Sequence, residues 1–226
     1  MRTTIKRLAW AVTPPILWLA ARAALGRIPR RAGGMREGEQ NSAYYDRVYA
    51  ERVTYHAHYS TSPYYFLWSV IADRLLGAGV SSVLDVGCGP GQFADLLRDR
   101  GMERYCGVDL SRTALRLARS VCPEWEFTFA DALETELFDT LDYEAVVCME
   151  VLEHLDSDIE LLKRVPPNVR FYGSVPSFPD TAHVRYFSHC DAVFERYGSL
   201  FHEFRVDPLA YGDNGRQLFV LQGVKS

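Results

Sequence analysis

The chain has 226 residues, 48% of them hydrophobic, which is enough for one α/β domain with a sizeable core plus an appendage. Its five cysteines, at 88, 106, 122, 148 and 190, are odd in number and form no C-x-x-C pair, which argues against a disulfide framework or a cysteine metal cluster and fits the reducing cytoplasm. The net charge of −4 hides an asymmetry: residues 1–36 hold eight Lys or Arg and no acid, leaving 17 basic against 29 acidic residues and a net of −12 in the remainder, a balance that argues against a nucleic-acid partner.

Residues 1–40 read as a basic amphipathic arm and linker. Thr13 can cap a helix with Pro14 and Pro15 in its first turn, and Gly26 can end it. The prolines and Arg22 interrupt the apolar run, so a spanning helix is not expected. Trp10 and Trp18 with flanking arginines suggest a helix lying in the membrane interface, drawn to anionic lipid, which would place the protein peripherally on the inner face. A targeting peptide is a rival, since Ala21-Arg22-Ala23 imitates a cleavage site, and simple packing on the domain is another.

Residues 41–79 are dense in aromatics and suggest a helical lid over the substrate side, beginning Tyr44-Tyr45-Asp46-Arg47-Val48-Tyr49. A helix over 64–76 is expected to pack Phe66, Val70 and Leu75 on a sheet, whereas Tyr55, His56, His58 and Tyr59 follow no clean apolar period and are left between a binding and a structural role.

Residues 82–86 read as a central parallel strand running into Gly87-Cys88-Gly89-Pro90-Gly91 and then a helix start at Gln92. Glycines in such a loop let backbone approach a ligand, and the helix amides face the same crevice. Asp85 precedes the first glycine by two residues and can accept from a ligand ammonium group. Asp109 ends a second strand 18 residues beyond Gly91, the distance expected for a carboxylate gripping ribose hydroxyls. Asp131 ends a third. These residues resemble the motifs of class I S-adenosylmethionine-dependent methyltransferases over roughly residues 80–224: Asp85, Gly87, Gly89 and Gly91 match the first motif, and Asp109 matches the acid after the second strand. The resemblance implies that the glycine loop surrounds the methionine part of S-adenosylmethionine, that Asp109 binds ribose, and that Asp131 and Ala132 contact adenine. Leu110 and Met149 are expected to complete the cofactor site.

A second constellation follows the fourth strand, residues 145–148. Glu150, Glu153 and His154 stand at i, i+3 and i+4, so a helical turn there would put all three on one face as a divalent-metal site, Mg or Mn. The E-x-x-E-H pattern resembles ubiquinone-pathway O-methyltransferases and small-RNA 2′-O-methyltransferases, in which these residues are metal ligands. His183, five residues before Ser188, resembles the RNA enzymes' fourth ligand, although the intervening segment is shorter here. A metal-free reading, in which Glu150 and His154 bond to loop backbone or substrate, stays open. In either case His154 or His183 can take the substrate proton. Arg185 can hold an acidic substrate group or lie at the surface.

The expected architecture for residues 80–226 is a Rossmann-like, seven-stranded, mostly parallel sheet with helices on both faces, ending in antiparallel strands over 201–206 and 217–224, plus the N-terminal helical arm. The expected function is O-methylation of a small or lipid-linked hydroxyl acceptor, such as a quinone precursor, a polyprenyl compound or a glycan intermediate. The alternatives are an RNA 2′-O-methyltransferase and a non-catalytic S-adenosylmethionine-binding scaffold or sensor.

Overall fold

The computed structural model describes residues 38–226. The expected arm, with its Thr13 cap, prolines and Gly26 stop, lies outside the described residues. Among the described residues no helix is long and apolar enough to cross a membrane.

β-Branched and apolar runs become β1 (Ser82–Val86), β2 (Arg104–Asp109), β3 (Glu126–Phe129), β4 (Ala145–Met149) and β5 (Arg170–Pro176), all mutually parallel. β6 (Phe201–Ala210) and β7 (Gln217–Lys225) complete a seven-stranded sheet in the order β3-β2-β1-β4-β5-β7-β6, with β7 antiparallel to both its neighbours. Both the mixed sheet and the antiparallel end match the expectation. The order reverses at β1, between β2 and β4, and a crevice opens beyond the carboxyl ends of the strands at such a point.

Strand alternation divides the core into two layers. Val83, Val147 and Tyr172 point into one, with Leu67, Ile71 and Leu75 of α2 (Tyr65–Gly77), Leu96 and Leu97 of α3 (Gln92–Asp99) and Leu115 of α4 (Arg112–Val121). Leu84, Val146 and Phe171 point into the other, with Phe138 of α5 (Leu137–Thr140), Leu161 and Leu162 of α6 (Asp158–Lys163) and Val193 of α7 (Cys190–Tyr197). Burial of each such side chain contributes about 2 kcal/mol. In α2 the buried stripe is Leu67, Ile71 and Leu75, one residue out of phase with Phe66, which is therefore 61% exposed rather than packed on the sheet as expected.

The aromatic segment expected as a lid begins with α1 (Ser42–Glu51), which buries no residue and is held by polar contacts instead. Asn41 caps it by accepting from the Tyr44 amide. Asp46 Oδ1 accepts from Ser111 Oγ at 2.6 Å and from the Thr113 amide at 2.8 Å, which ties the lid to the N-terminus of α4. Gln92 Nε2, at the start of α3, donates to the carbonyls of Thr54 (3.1 Å) and Ala57 (2.6 Å) and ties down the lid's second part. His56 bonds the Tyr49 carbonyl, His58 bonds Ser60 Oγ, and the Tyr59 hydroxyl donates to Asp99, so these three are structural.

Gly91 sits at φ 82°, and a Cβ added there would stand 2.8 Å from Ala118 Cα in α4. Gly91→Ala is expected to lose roughly 2–4 kcal/mol of stability from the left-handed backbone and the overpacking together. Urea unfolding of the ligand-free protein measures it, and an unchanged midpoint would mean that α4 backs away at no cost.

Candidate active site

The crevice at the sheet reversal is built first from the turn after β1. Gly87, Gly89 and Gly91 all have positive φ, at 76°, 55° and 82°. A Cβ on Gly87 would stand 2.3 Å from Val151 Cγ2, and one on Gly89 would stand 3.2 Å from the Tyr49 hydroxyl. The turn therefore packs against the loop after β4 on one side and the lid on the other.

Two acids flank it. Asp85 is 2% exposed and accepts from the Tyr105 hydroxyl at 2.5 Å; burial pushes its carboxyl up to about 7, against the opposing pull of that hydrogen bond. Asp109 accepts from the amides of Ser111 (2.7 Å) and Gly89 (2.9 Å), yet burial still raises it to about 6. Asp131 closes its own turn by accepting from the Leu133 amide at 2.8 Å.

The segment after β4 departs from the expected helical turn. Glu150 adopts φ 54°, and only Leu152–His154 forms a single 3-10 turn. Glu150 is thereby turned toward β5, where Ser174 Oγ donates to its Oε1 at 2.8 Å; burial raises its carboxyl to about 7. Glu153, His154 and His183 instead form the cluster, with one potential ligand atom from each lying within 4.8 Å of the others. The expected grouping of Glu150 with Glu153 and His154 on one face is thus corrected, because a residue in the left-handed region breaks the helical phase. His183 joins the cluster despite the shortened segment before it.

Within the cluster Glu153 is 0% exposed and neither carboxylate oxygen has a hydrogen-bond partner. Burial and the neighbouring Glu150 push its carboxyl well above the usual range. The two histidines are oriented by backbone: His154 Nδ1 lies 2.8 Å from the Ala182 carbonyl, and His183 Nδ1 lies 3.1 Å from that of Phe178. A carbonyl only accepts, so both rings carry the proton on Nδ1 and leave Nε2 a free lone pair. Burial lowers His154 to about 4 and also lowers His183, so both rings are neutral at pH 7. Tyr45 of the lid meets the His154 ring edge to face at 5.9 Å.

With the exception of Gly91, which faces α4, every residue expected in the cofactor, metal or catalytic sets lines one cavity of about 250 Å³. Residues 83–167 match the methyltransferase domain family. Over this stretch the chain is similar to class I S-adenosylmethionine-dependent methyltransferase domains. The domain is similar to that of a ubiquinone biosynthesis O-methyltransferase from Alkalilimnicola ehrlichii, 37% identical over 89 residues that make up 38% of this chain and 36% of that protein. The chain thus spans well under two thirds of that relative. The N-methyltransferase NodS of Bradyrhizobium japonicum, in complex with S-adenosyl-L-homocysteine, shares the fold at a TM-score of 0.57 and 16% identity over 74% of this chain and 90% of that one. So does the [4+2]-cyclase SpnF, at a TM-score of 0.64 and 14% identity over 84% of this chain and 98% of that one.

The site also includes residues that the sequence pattern did not reveal. Ser174, which bonds Glu150, lies in a strand with no local signal of the role. Asp46 and Tyr49 stood inside the aromatic motif, but spacing alone did not place Asp46 on the N-terminus of α4 or Tyr49 against Gly89. Arg185 does not line the cavity: its side chain is 18% exposed and bonds loop carbonyls.

Burial holds the folded Asp85 near 7 against an ordinary 3.8, so the folded protein binds more protons than the unfolded chain in that window and loses stability as pH rises through it. Asp85→Asn in the ligand-free protein is therefore expected to raise the melting temperature, by an advantage that grows from pH 4 at up to about 1.4 kcal/mol per unit and levels off near pH 7. Thermal melts across pH 4–8 check this; a constant difference would mean that Asp85 ionises freely in the folded state.

Proposed function

We propose that this protein transfers a methyl group from S-adenosylmethionine to a hydroxyl oxygen of a small or lipid-linked acceptor. The observation that carries the reading is that the glycine turn with its acids and the Glu153, His154 and His183 cluster open into one cavity. Asp85 would take the donor's ammonium group and Asp109 its ribose hydroxyls. Asp131 and Ala132 would flank the adenine, and Leu110 and Met149 would pack around the nucleoside.

Displacement at a sulfonium methyl is in-line, so the protein's task is to align donor and acceptor and to manage one proton. Glu153, His154 and His183 fit a divalent cation: two free imidazole lone pairs and a buried carboxylate without a partner converge there, a donor set that suits Mn²⁺ better than Mg²⁺. Such a cation would supply Lewis acidity that lowers the pKa of an acceptor hydroxyl. The neutral rings of His154 and His183 are ready to bind it, and without it the free Nε2 of His183, the less buried of the pair, would accept the proton. The similarity to ubiquinone biosynthesis O-methyltransferases supports oxygen as the acceptor atom. The net charge of −12 outside residues 1–36 disfavours an RNA acceptor. The eight basic residues and two tryptophans of the first 36 residues support peripheral attachment to the cytoplasmic face of a membrane, next to a lipid-linked substrate.

Incubation of the full chain with methyl-labelled S-adenosylmethionine and cell extract, with and without EDTA, tests the reading. Label is expected in the lipid or small-molecule fraction and to fall with EDTA and in Glu153→Gln; label confined to RNA would overturn the acceptor assignment. Asp109→Ala is expected to weaken S-adenosylhomocysteine binding by about 1.5–3 kcal/mol, the loss of hydrogen bonds to a charged group, as read by calorimetry. Removing residues 1–36 is expected to abolish sedimentation with vesicles containing anionic lipid, and undiminished sedimentation would refute the membrane role.

A further inference from the structure

The cluster stands on a segment with little regular structure of its own. Between the end of β4 and the start of α6 only one 3-10 turn, Leu152–His154, is present; it pairs the Leu152 carbonyl with the Leu155 amide, and the carbonyls of Leu155 and Asp156 beyond it have no helical partners. Arg185 supplies donors to them. Its Nη1 donates to the Leu152 carbonyl at 2.6 Å and to that of Leu155, and Nη2 donates to the Asp156 carbonyl at 3.2 Å. The same Nη1 lies 3.1 Å from Asp158 Oδ2. Asp158 is 1% exposed and is fixed in turn by two 2.7 Å bonds from Arg196 and one of 2.6 Å from the Tyr197 hydroxyl. The guanidinium therefore joins two segments: its own backbone, at 182–185, carries His183, and the carbonyls it grips flank Glu153 and His154. The backbone repeats the connection, since the amides of Val184 and Arg185 donate to the Glu153 carbonyl at 2.8 and 3.4 Å and His154 bonds the Ala182 carbonyl.

We infer that Arg185 is a positioning residue for the acceptor side of the reaction: anchored on Asp158, it locks the loop of Glu153 and His154 against the segment of His183 so that the carboxylate and the two imidazoles converge. The inference rests on the proposed role of that cluster. Only a planar guanidinium can hold several divergent carbonyls and a carboxylate at once, which a lysine ammonium on the same stem cannot reproduce. The cofactor half of the cavity, built on the ends of β1, β2 and β3, makes none of these contacts.

The test compares Arg185→Gln and Arg185→Lys with the unmodified full chain by three measurements: the histidine ring tautomers from long-range ¹⁵N–¹H NMR, Mn²⁺ binding, and S-adenosylhomocysteine binding. In the unmodified protein His154 is expected in the Nδ1–H form. In Arg185→Gln that fixed tautomer is expected to give way to a mixture and Mn²⁺ affinity to fall by about tenfold or more, as when an outer support of a metal site is lost, while S-adenosylhomocysteine binding is unchanged. Arg185→Lys is expected to fall between the two and carries the test if the glutamine variant does not fold. Unaltered tautomers and Mn²⁺ affinity in both variants would overturn the inference, as would a parallel loss of S-adenosylhomocysteine binding, which would mark Arg185 as a support of the whole fold. An unmodified protein that binds no Mn²⁺, while the His154 tautomer still changes on substitution, would overturn the cation reading and leave the positioning role standing.

Discussion

The site depends on a side chain that is missing. A Cβ on Gly87 would collide with Val151 Cγ2 at 2.3 Å, so the turn after β1 and the loop after β4 can touch only because that position is glycine. The first of these follows Asp85 and would surround the methionine part of the donor, and the second carries Glu153 and His154. Their relative position is set by direct packing, and in a close-packed interior such contacts resist small displacements. Donor and acceptor sides are thus neighbours through one van der Waals contact rather than through a long structural relay.

Around this contact the electrostatics are one-sided. Asp85, Asp109 and Glu153 are buried and Glu150 half-buried around one cavity, and desolvation raises every one of their carboxyl groups. Desolvated carboxylates cost stability unless a positive charge accompanies them. The two histidines do not supply it, since burial keeps both neutral. A cavity of this kind favours guests that bring positive charge, and both an ammonium-bearing sulfonium donor and a divalent cation do so. The same argument explains why Arg185, the cation that acts on Glu153, leaves it incompletely compensated: its donors point at backbone carbonyls and at Asp158.

The parallel strands and the glycine turn were legible because their determinants are local: an unbroken buried run along 82–86 and positive φ at Gly87, Gly89 and Gly91 follow from residue type within ten positions. Asp109 was legible for a related reason, since one crossover helix fixes its spacing. The E-x-x-E-H pattern identified the correct stretch but not its shape. Helical phase assumes regular φ and ψ, and Glu150 leaves that region to meet Ser174, a partner 24 residues away that no local pattern reveals. Phe66 failed by one position in phase, and Arg185 failed because its partners, the carbonyls of Leu152, Leu155 and Asp156, have no side-chain signature at all. The arm's residues lie outside the described chain, so that expectation rests on composition.

The sheet itself does not choose the chemistry. An N-methyltransferase and a [4+2]-cyclase share it at TM-scores of 0.57 and 0.64, with 16% and 14% identity to this chain, and folds of this class host many reactions. What distinguishes this protein must therefore lie in the loops beyond the carboxyl ends of β4 and β5, where the cluster stands, and in the lid above them. There the backbone is irregular and is held by side-chain-to-carbonyl bonds instead of ladder bonds, as with Arg185 on the 152–156 loop and Gln92 on Thr54 and Ala57. Such bonds depend on single residues, so these loops can change shape by one substitution while the sheet beneath them is preserved by a core of many. Under the proposed function, acceptor specificity would accordingly be written in the least redundant contacts.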